Sequence, residues 1–217
     1  MYRPVLPFRI WIALRCDGLA TMHATKAELR NEMRDLRRAL DPGEAARCAL
    51  AAASFVLDLP EVRAARRVAL YAATRCELDT APIAAGLLAR GVACSYPRIV
   101  AGKTELSFAD AHVAALAPGA FGILSPPDGA PEVPADGIDV FVIPGLAFDL
   151  AGGRLGWGRG HYDRTLAAAP AALRVGYAYG FQIVDKVPTH AADEAMDVVV
   201  TDAGARRTAR TPLRRLR

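Results

Sequence analysis

Histidine and cysteine are scarce in this chain, with four of each among 217 residues. Cys16, Cys48, Cys76 and Cys94 make no C-x-x-C pair, and no cysteine–histidine spacing fits a zinc site. A disulfide scaffold and a zinc module are therefore excluded, and reduced thiols in a cytoplasmic protein are expected. No apolar run approaches the ~18 residues of a membrane span, so no membrane partner is expected. Internal repeats and clear linkers are also lacking. A net positive charge is missing from the body of the chain. Six arginines follow Asp202 with no acidic residue among them, and residues 1–22 carry Arg3, Arg9 and Arg15 against Asp17. The formal net charge of +4 thus leaves −4 on residues 23–202. The arginine-rich end reads as a solvated tail. The body has no nucleic-acid footprint, and no nucleic-acid partner is expected.

What is present is a globular composition, 53% hydrophobic and 23% charged. The chain divides into a disordered leader over residues 1–22, with Met22 as an alternative start, one domain over 23–202, and a basic tail over 203–217. A monomer is expected. Thr25 and Glu28 fit a capping box, and Leu29, Met33, Leu36 and Leu40 follow at helical spacing. Asp41-Pro42 opens a second helix running to about Leu57. Residues 67–73, 92–96, 138–144, 174–179 and 197–201 read as apolar strands, and 104–109 alternates like a strand. Helices are expected over about 80–90, stopped by Gly91, and over about 162–169. Residues 117–137, rich in proline and glycine, read as a long loop. Strands alternating with helices, and apolar along their whole length, predict an α/β fold with a mostly parallel sheet flanked by helices.

The stretch GGRLGWGRGHYDR, residues 152–164, is too rich in glycine for a helix or a strand. It lies between an apolar strand and a helix, where glycines let backbone N–H groups turn toward an anion. Arg154 and Arg159 add charges that suit phosphate oxygens. The spacing is neither G-x-G-x-x-G nor G-x-x-x-x-G-K-[ST], so neither the dinucleotide nor the Walker reading applies.

PGLAFDLAGGRLGWGRGHYDR, residues 144–164, resembles the signature of the 5-formyltetrahydrofolate cyclo-ligase (methenyltetrahydrofolate synthetase) family. KAELR (26–30), ELDT (77–80), Pro97-Arg98 and MDVVVTD (196–202) resemble its other marks, in order. The resemblance implies an α/β fold like that of sugar-phosphate isomerases and CoA transferases. It also implies an activity: ATP and 5-formyltetrahydrofolate give 5,10-methenyltetrahydrofolate, ADP and phosphate, with magnesium. The formyl oxygen would take the γ-phosphate, N10 would close the ring, and phosphate would leave. No protein nucleophile is needed, which agrees with the absence of any Ser-His-Asp or Cys-His arrangement worth defending.

Carried over position by position, the resemblance implies that Lys26, Ala27, Glu28, Leu29 and Arg30 bind ATP. Arg154, Leu155, Gly156, Trp157, Gly158, Arg159, Gly160, His161 and Tyr162 would do so from the glycine loop. Lys26 and Arg159 would act in catalysis. Ala72, Glu77, Trp157, Gly158, Arg159, Gly160 and His161 would contact the folate, and Asp163 and Asp197 would hold the metal. Departures from the family pattern are His161 in place of a Tyr or Phe, Trp157, Ser125 and Cys76. Two alternatives stand beside this reading: an enzyme similar to sugar-phosphate isomerases, and a folate- or nucleotide-binding module without turnover.

Overall fold

The computed structural model describes residues 25–74 and 76–209. The expected leader, the start at Met22 and the end of the arginine-rich tail lie outside the described residues. Helix α1, Lys26–Arg38, opens as expected: the Thr25 side chain accepts the Glu28 N–H at 3.2 Å. Its buried stripe differs from the expected one. Leu29 and Met33 are buried, but the next buried position is Arg37, while Leu36 is 36% exposed and Leu40 lies beyond the helix. The i+4 step carries the inner face from Met33 to Arg37, whose guanidinium meets backbone carbonyls at 74 and 76 instead of an apolar neighbour. Helix α2, Pro42–Asp58, is capped by Asp41, which accepts the Glu44 N–H at 3.0 Å. Its inner face is Ala49, Ala52, Ala53 and Val56, small side chains that let the helix lie close to the sheet. A short α3, Pro60–Ala64, was not legible as a helix of its own.

Strand β1 (Arg67–Ala69) is followed by α4 (Ala81–Leu88), β2 (Ala93–Arg98) and β3 (Ser107–Asp110). The expected loop over 117–137 contains β4 (Ala117–Pro118) and β5 (Leu124–Ser125), paired as a small ribbon, and β6 (Glu132–Val133), which pairs with β3. Next come β7 (Val140–Ile143), the hairpin β8 (Ala147–Phe148) and β9 (Arg154–Leu155), α5 (His161–Ala167), β10 (Leu173–Tyr177), β11 (Val198–Thr201) and β12 (Gly204–Arg207). The main sheet has eight strands in the order β12-β11-β10-β7-β1-β2-β3-β6. β11, β10, β7, β1 and β2 are mutually parallel; β12 pairs antiparallel with β11 at one edge, and β3 pairs antiparallel with both β2 and the other edge strand, β6. This is a mixed α/β fold with a large, mostly parallel sheet flanked by helices.

The period of two divides each central strand between two cores. Val68, Val140, Val142, Val175, Val198 and Val200 pack with Ala49, Ala53 and Val56 of α2. Ala69, Phe141, Ile143 and Val199 pack with Leu166 of α5 on the opposite face. Burial on both faces is why these strands read as unbroken apolar runs.

The tail expected from residue 203 starts later. Gly204–Arg207 pairs antiparallel with β11, Arg207 bonds Glu61 at 2.8 Å, and Thr208 is buried with its hydroxyl donating to the Met196 carbonyl at 2.6 Å. An edge strand carrying two arginines has one face in water, so it lacks the apolar pattern of the central strands. Among the described residues no helix is long and apolar enough to cross a membrane.

The β2–β3 edge is tied to the sheet by Asp110, which accepts from Arg67 at 2.9 Å and from Ser95 at 2.6 Å. Burial alone would raise its carboxyl pKa, but the bonds from Arg67 and Ser95 outweigh this and lower it. A depressed folded-state pKa stabilises above the unfolded value, and the effect is lost as pH falls through the folded one. Asp110→Asn should therefore lower Tm at pH 7, and the gap to wild type should close only below the ordinary carboxylate range. A gap that persists unchanged at pH 2 would show that lost charge is not the cause.

Candidate active site

The chain steps from β1 to β2 in one direction and from β7 to β10 to β11 in the other. The reversal falls between β7 and β1, where open α/β sheets place ligands beyond the carboxyl ends of their strands. A cleft of about 490 Å³ lies there, within the range of small-molecule sites. Tyr71 and Ala72 after β1, Pro97 in β2 and Pro144 after β7 form part of its wall.

The glycine-rich segment does two jobs. Its first part closes the β8–β9 hairpin. Asp149 accepts the N–H groups of Ala151 and Gly153 at 3.0 and 2.7 Å through one oxygen, and that of Val187 at 2.8 Å through the other. Gly152, at φ +100, lies where a Cβ would stand 2.8 Å from the Met196 carbonyl. The second part, Gly156 to Gly160, runs along the cleft into α5. Gly158 takes φ +94 with its backbone against Arg30, whose Nε donates to the Gly156 carbonyl at 3.0 Å. Because α5 is only seven residues long, the positive character here comes chiefly from side chains.

Those side chains come from distant segments. Lys26 and Arg30, one helical turn apart on α1, both reach the cleft. Lys26 pairs with Asp193 at 3.2 Å, and both partners are partly exposed. Burial alone would raise the Asp193 pKa; the His190 N–H and Lys26 lower it instead. Arg154 is 6% exposed, bonds Asp163 at 2.8 Å and lies 5.6 Å from the Tyr162 ring centre. Arg159 is exposed, with its guanidinium 4.3 Å from the ring centre of Phe121 in the β4–β5 ribbon. His161 Nδ1 lies 2.7 Å from the Thr104 carbonyl, so that nitrogen carries the proton.

Thr74 and Glu77 also line the cleft. Glu77 accepts the Thr74 N–H at 3.0 Å and the Trp157 indole N–H at 3.3 Å, joining this part of the lining to the glycine loop. Burial, and then Glu77, push the Tyr71 hydroxyl pKa well up; burial does the same for Tyr162. Both stay neutral phenols, and Tyr71 donates to the Leu78 carbonyl at 2.6 Å.

Of the residues singled out from the sequence, Lys26, Arg30, Ala72, Glu77, Arg154, Leu155, Gly156, Trp157, Gly158, Arg159, Gly160, His161, Tyr162 and Asp163 line this one cleft. Ala27, Glu28 and Leu29 do not. Ala27 and Glu28 face solvent, and Leu29 is core, because a helix turns neighbouring positions to different faces. Asp197 does not line the cleft either. It is 8% exposed, at the start of β11, where its carboxylate accepts the Arg174 N–H at 2.9 Å. Of the two acids expected to hold the metal, Asp163 lines the cleft and Asp197 does not. Among the described residues no three His, Cys, Asp or Glu side chains are grouped to hold a metal. Sequence reasoning missed Asp193, His190, Phe121 and Tyr71 as lining residues, none of which carries a local signal.

The sequence profile of the 5-formyltetrahydrofolate cyclo-ligase family matches residues 22–202. The Escherichia coli K12 5-formyltetrahydrofolate cyclo-ligase is 34% identical over 174 residues, covering 78% of this chain and 96% of that protein. The mouse 5-formyltetrahydrofolate cyclo-ligase is 26% identical, with 83% and 95% covered. Among solved structures, the NMR structure of Aquifex aeolicus 5,10-methenyltetrahydrofolate synthetase superposes with a TM-score of 0.75 at 35% identity, over 88% of this chain and 96% of that one. With the profile spanning nearly the whole described body, the chain belongs to the 5-formyltetrahydrofolate cyclo-ligase family.

Proposed function

We propose that this protein uses ATP to close 5-formyltetrahydrofolate to 5,10-methenyltetrahydrofolate, releasing ADP and phosphate. One observation carries the reading: a single cleft joins Lys26 and Arg30 of α1 to Arg154 and Arg159 of the glycine segment, and adds Glu77 through Trp157. The cations suit a triphosphate, and a carboxylate suits the donor-rich edge of a pterin. The formyl oxygen would attack the γ-phosphorus as the bond to the β-phosphate oxygen breaks and ADP leaves. N10 would then attack the former formyl carbon and give up its proton, and the C–O bond would break to release phosphate, which carries that proton away. Neither step needs a protein nucleophile. The chain's own part is positioning and charge neutralisation. Arg159 and Lys26 are the groups best able to do this, since Arg159 is exposed and Lys26 must only exchange Asp193 for a phosphate oxygen.

Magnesium would enter with the nucleotide. Asp163 faces the cleft but already holds Arg154, and Asp197 lies outside the lining, so the pair does not fit as a preformed site and no step is drawn through it. Asp197→Asn should lower Tm, through the weakened contact with the Arg174 N–H, and leave the magnesium dependence of activity unchanged. A shifted magnesium titration would restore the two-carboxylate reading.

The topology and the position of the cleft support the comparison with sugar-phosphate isomerases and CoA transferases. The span of the family match supports treating residues 23–202 as one catalytic domain. A monomer in the cytoplasm remains our expectation. Mixing protein, ATP, magnesium and 5-formyltetrahydrofolate should produce the methenyl absorbance. Stoichiometric binding without turnover would favour the binding module, and neither binding nor turnover would favour a sugar-phosphate enzyme.

A further inference from the structure

We infer that Arg37 is a positioning residue for the folate subsite: it holds the backbone of Thr74 and Cys76 in the geometry that presents Glu77 to the substrate. This rests on the reading of Glu77 as a folate contact given above. Arg37 is 2% exposed and ends the inner stripe of α1 that begins with Leu29 and Met33. An apolar side chain would fill that place at no desolvation cost, so a buried guanidinium there calls for specific partners. Its Nε donates to the Cys76 carbonyl at 3.0 Å and its Nη2 to the Thr74 carbonyl at 3.3 Å. Nη2 also stands 3.9 Å from the Glu77 carboxylate, and the guanidinium lies 5.8 Å from the Trp157 ring centre.

The backbone it grips is held under strain. Cys76 has φ +59, a left-handed conformation that a residue with a side chain adopts only when its surroundings over-determine it. Glu77 follows directly, and its two oxygens are divided between the Thr74 N–H and the Trp157 indole. Arg37 therefore acts on the carboxylate in two ways, through the strained backbone before it and through charge. It also reaches the glycine loop by way of Trp157. A planar fork can serve two carbonyls and a carboxylate together, whereas a lysine ammonium cannot match that geometry.

The test is steady-state kinetics of wild type, Arg37→Lys, Glu77→Gln and the double variant, each certified as folded by calorimetric ATP binding. Wild-type turnover checks the proposed activity separately; in its absence, calorimetric Kd values for 5-formyltetrahydrofolate and ATP carry the same comparison. Arg37→Lys should raise KM for 5-formyltetrahydrofolate about tenfold and leave KM for ATP within about twofold. In the Glu77→Gln background the same change should add little, because both act on one contact. A merely structural arginine would raise both KM values together, or multiply the Glu77→Gln defect, and either result overturns the inference. Should the lysine variant fail to bind ATP, Arg37→Gln, which keeps a donor for the Cys76 carbonyl without burying a charge, carries the same comparison.

Discussion

Alanine at Arg159 or at Lys26 should lower kcat/KM by about 10²-fold or more, the usual cost of removing a charged stabiliser from phosphoryl transfer. The effect should be separable from folding. Arg159 is exposed and touches the ribbon through Phe121, and Lys26 is tied to Asp193 by a partly exposed pair. Exposed pairs of this kind contribute about 1 kcal/mol or less, so Tm should move little in either variant. Steady-state rates with ATP varied at saturating 5-formyltetrahydrofolate, and the reverse, would decide the matter. Near-normal rates and ATP affinity in both variants would remove these residues from the mechanism.

Gly152→Ala should produce the largest loss of stability. The residue takes φ +100, where a side chain is strained, and the added methyl would stand 2.8 Å from the Met196 carbonyl with Ala195 and Thr208 close behind. Backbone strain of ~1–3 kcal/mol and overpacking of similar size should sum to about 2–6 kcal/mol. The contact crosses from the β8–β9 hairpin to the segment entering β11, where the Met196 N–H donates to the Gly152 carbonyl at 2.8 Å. Gly129→Ala is the comparator, with φ +84 but open space around it. It carries the strain without the clash, so denaturant titration should find Gly152→Ala clearly the worse of the two. Equal losses would mean that the hairpin yields and that backbone strain alone is being measured.

Much of the fold was legible because its signals are local. Thr25 and Asp41 announced two helices through side chains that reach only three residues ahead. The central strands announced themselves because burial on both faces leaves no polar alternation. β12 and the β4–β5 ribbon were not legible. Each is two to four residues long and half in water, and its existence depends on a partner, β11 in one case and the ribbon's own return in the other.

The site divides in the same way. The family signature and the two cations of KAELR identify the chemistry, and one helical turn puts Lys26 and Arg30 on one face. Local order could not say which neighbours turn away, so Leu29 read as a binding residue although it belongs to the core. Nor could it say that Asp197 would spend its carboxylate on the Arg174 N–H. The sequence by itself determined a mostly parallel α/β fold and the residue types that hold a phosphate. Only the tertiary structure decided which of them share a cleft, that Asp163 lines it while Asp197 does not, and that Arg37 reaches Glu77 across 40 positions of chain. The reason is physical: caps and periodicities act within a turn of helix or strand, whereas a binding site is made of contacts that close only when the sheet brings its strand ends together.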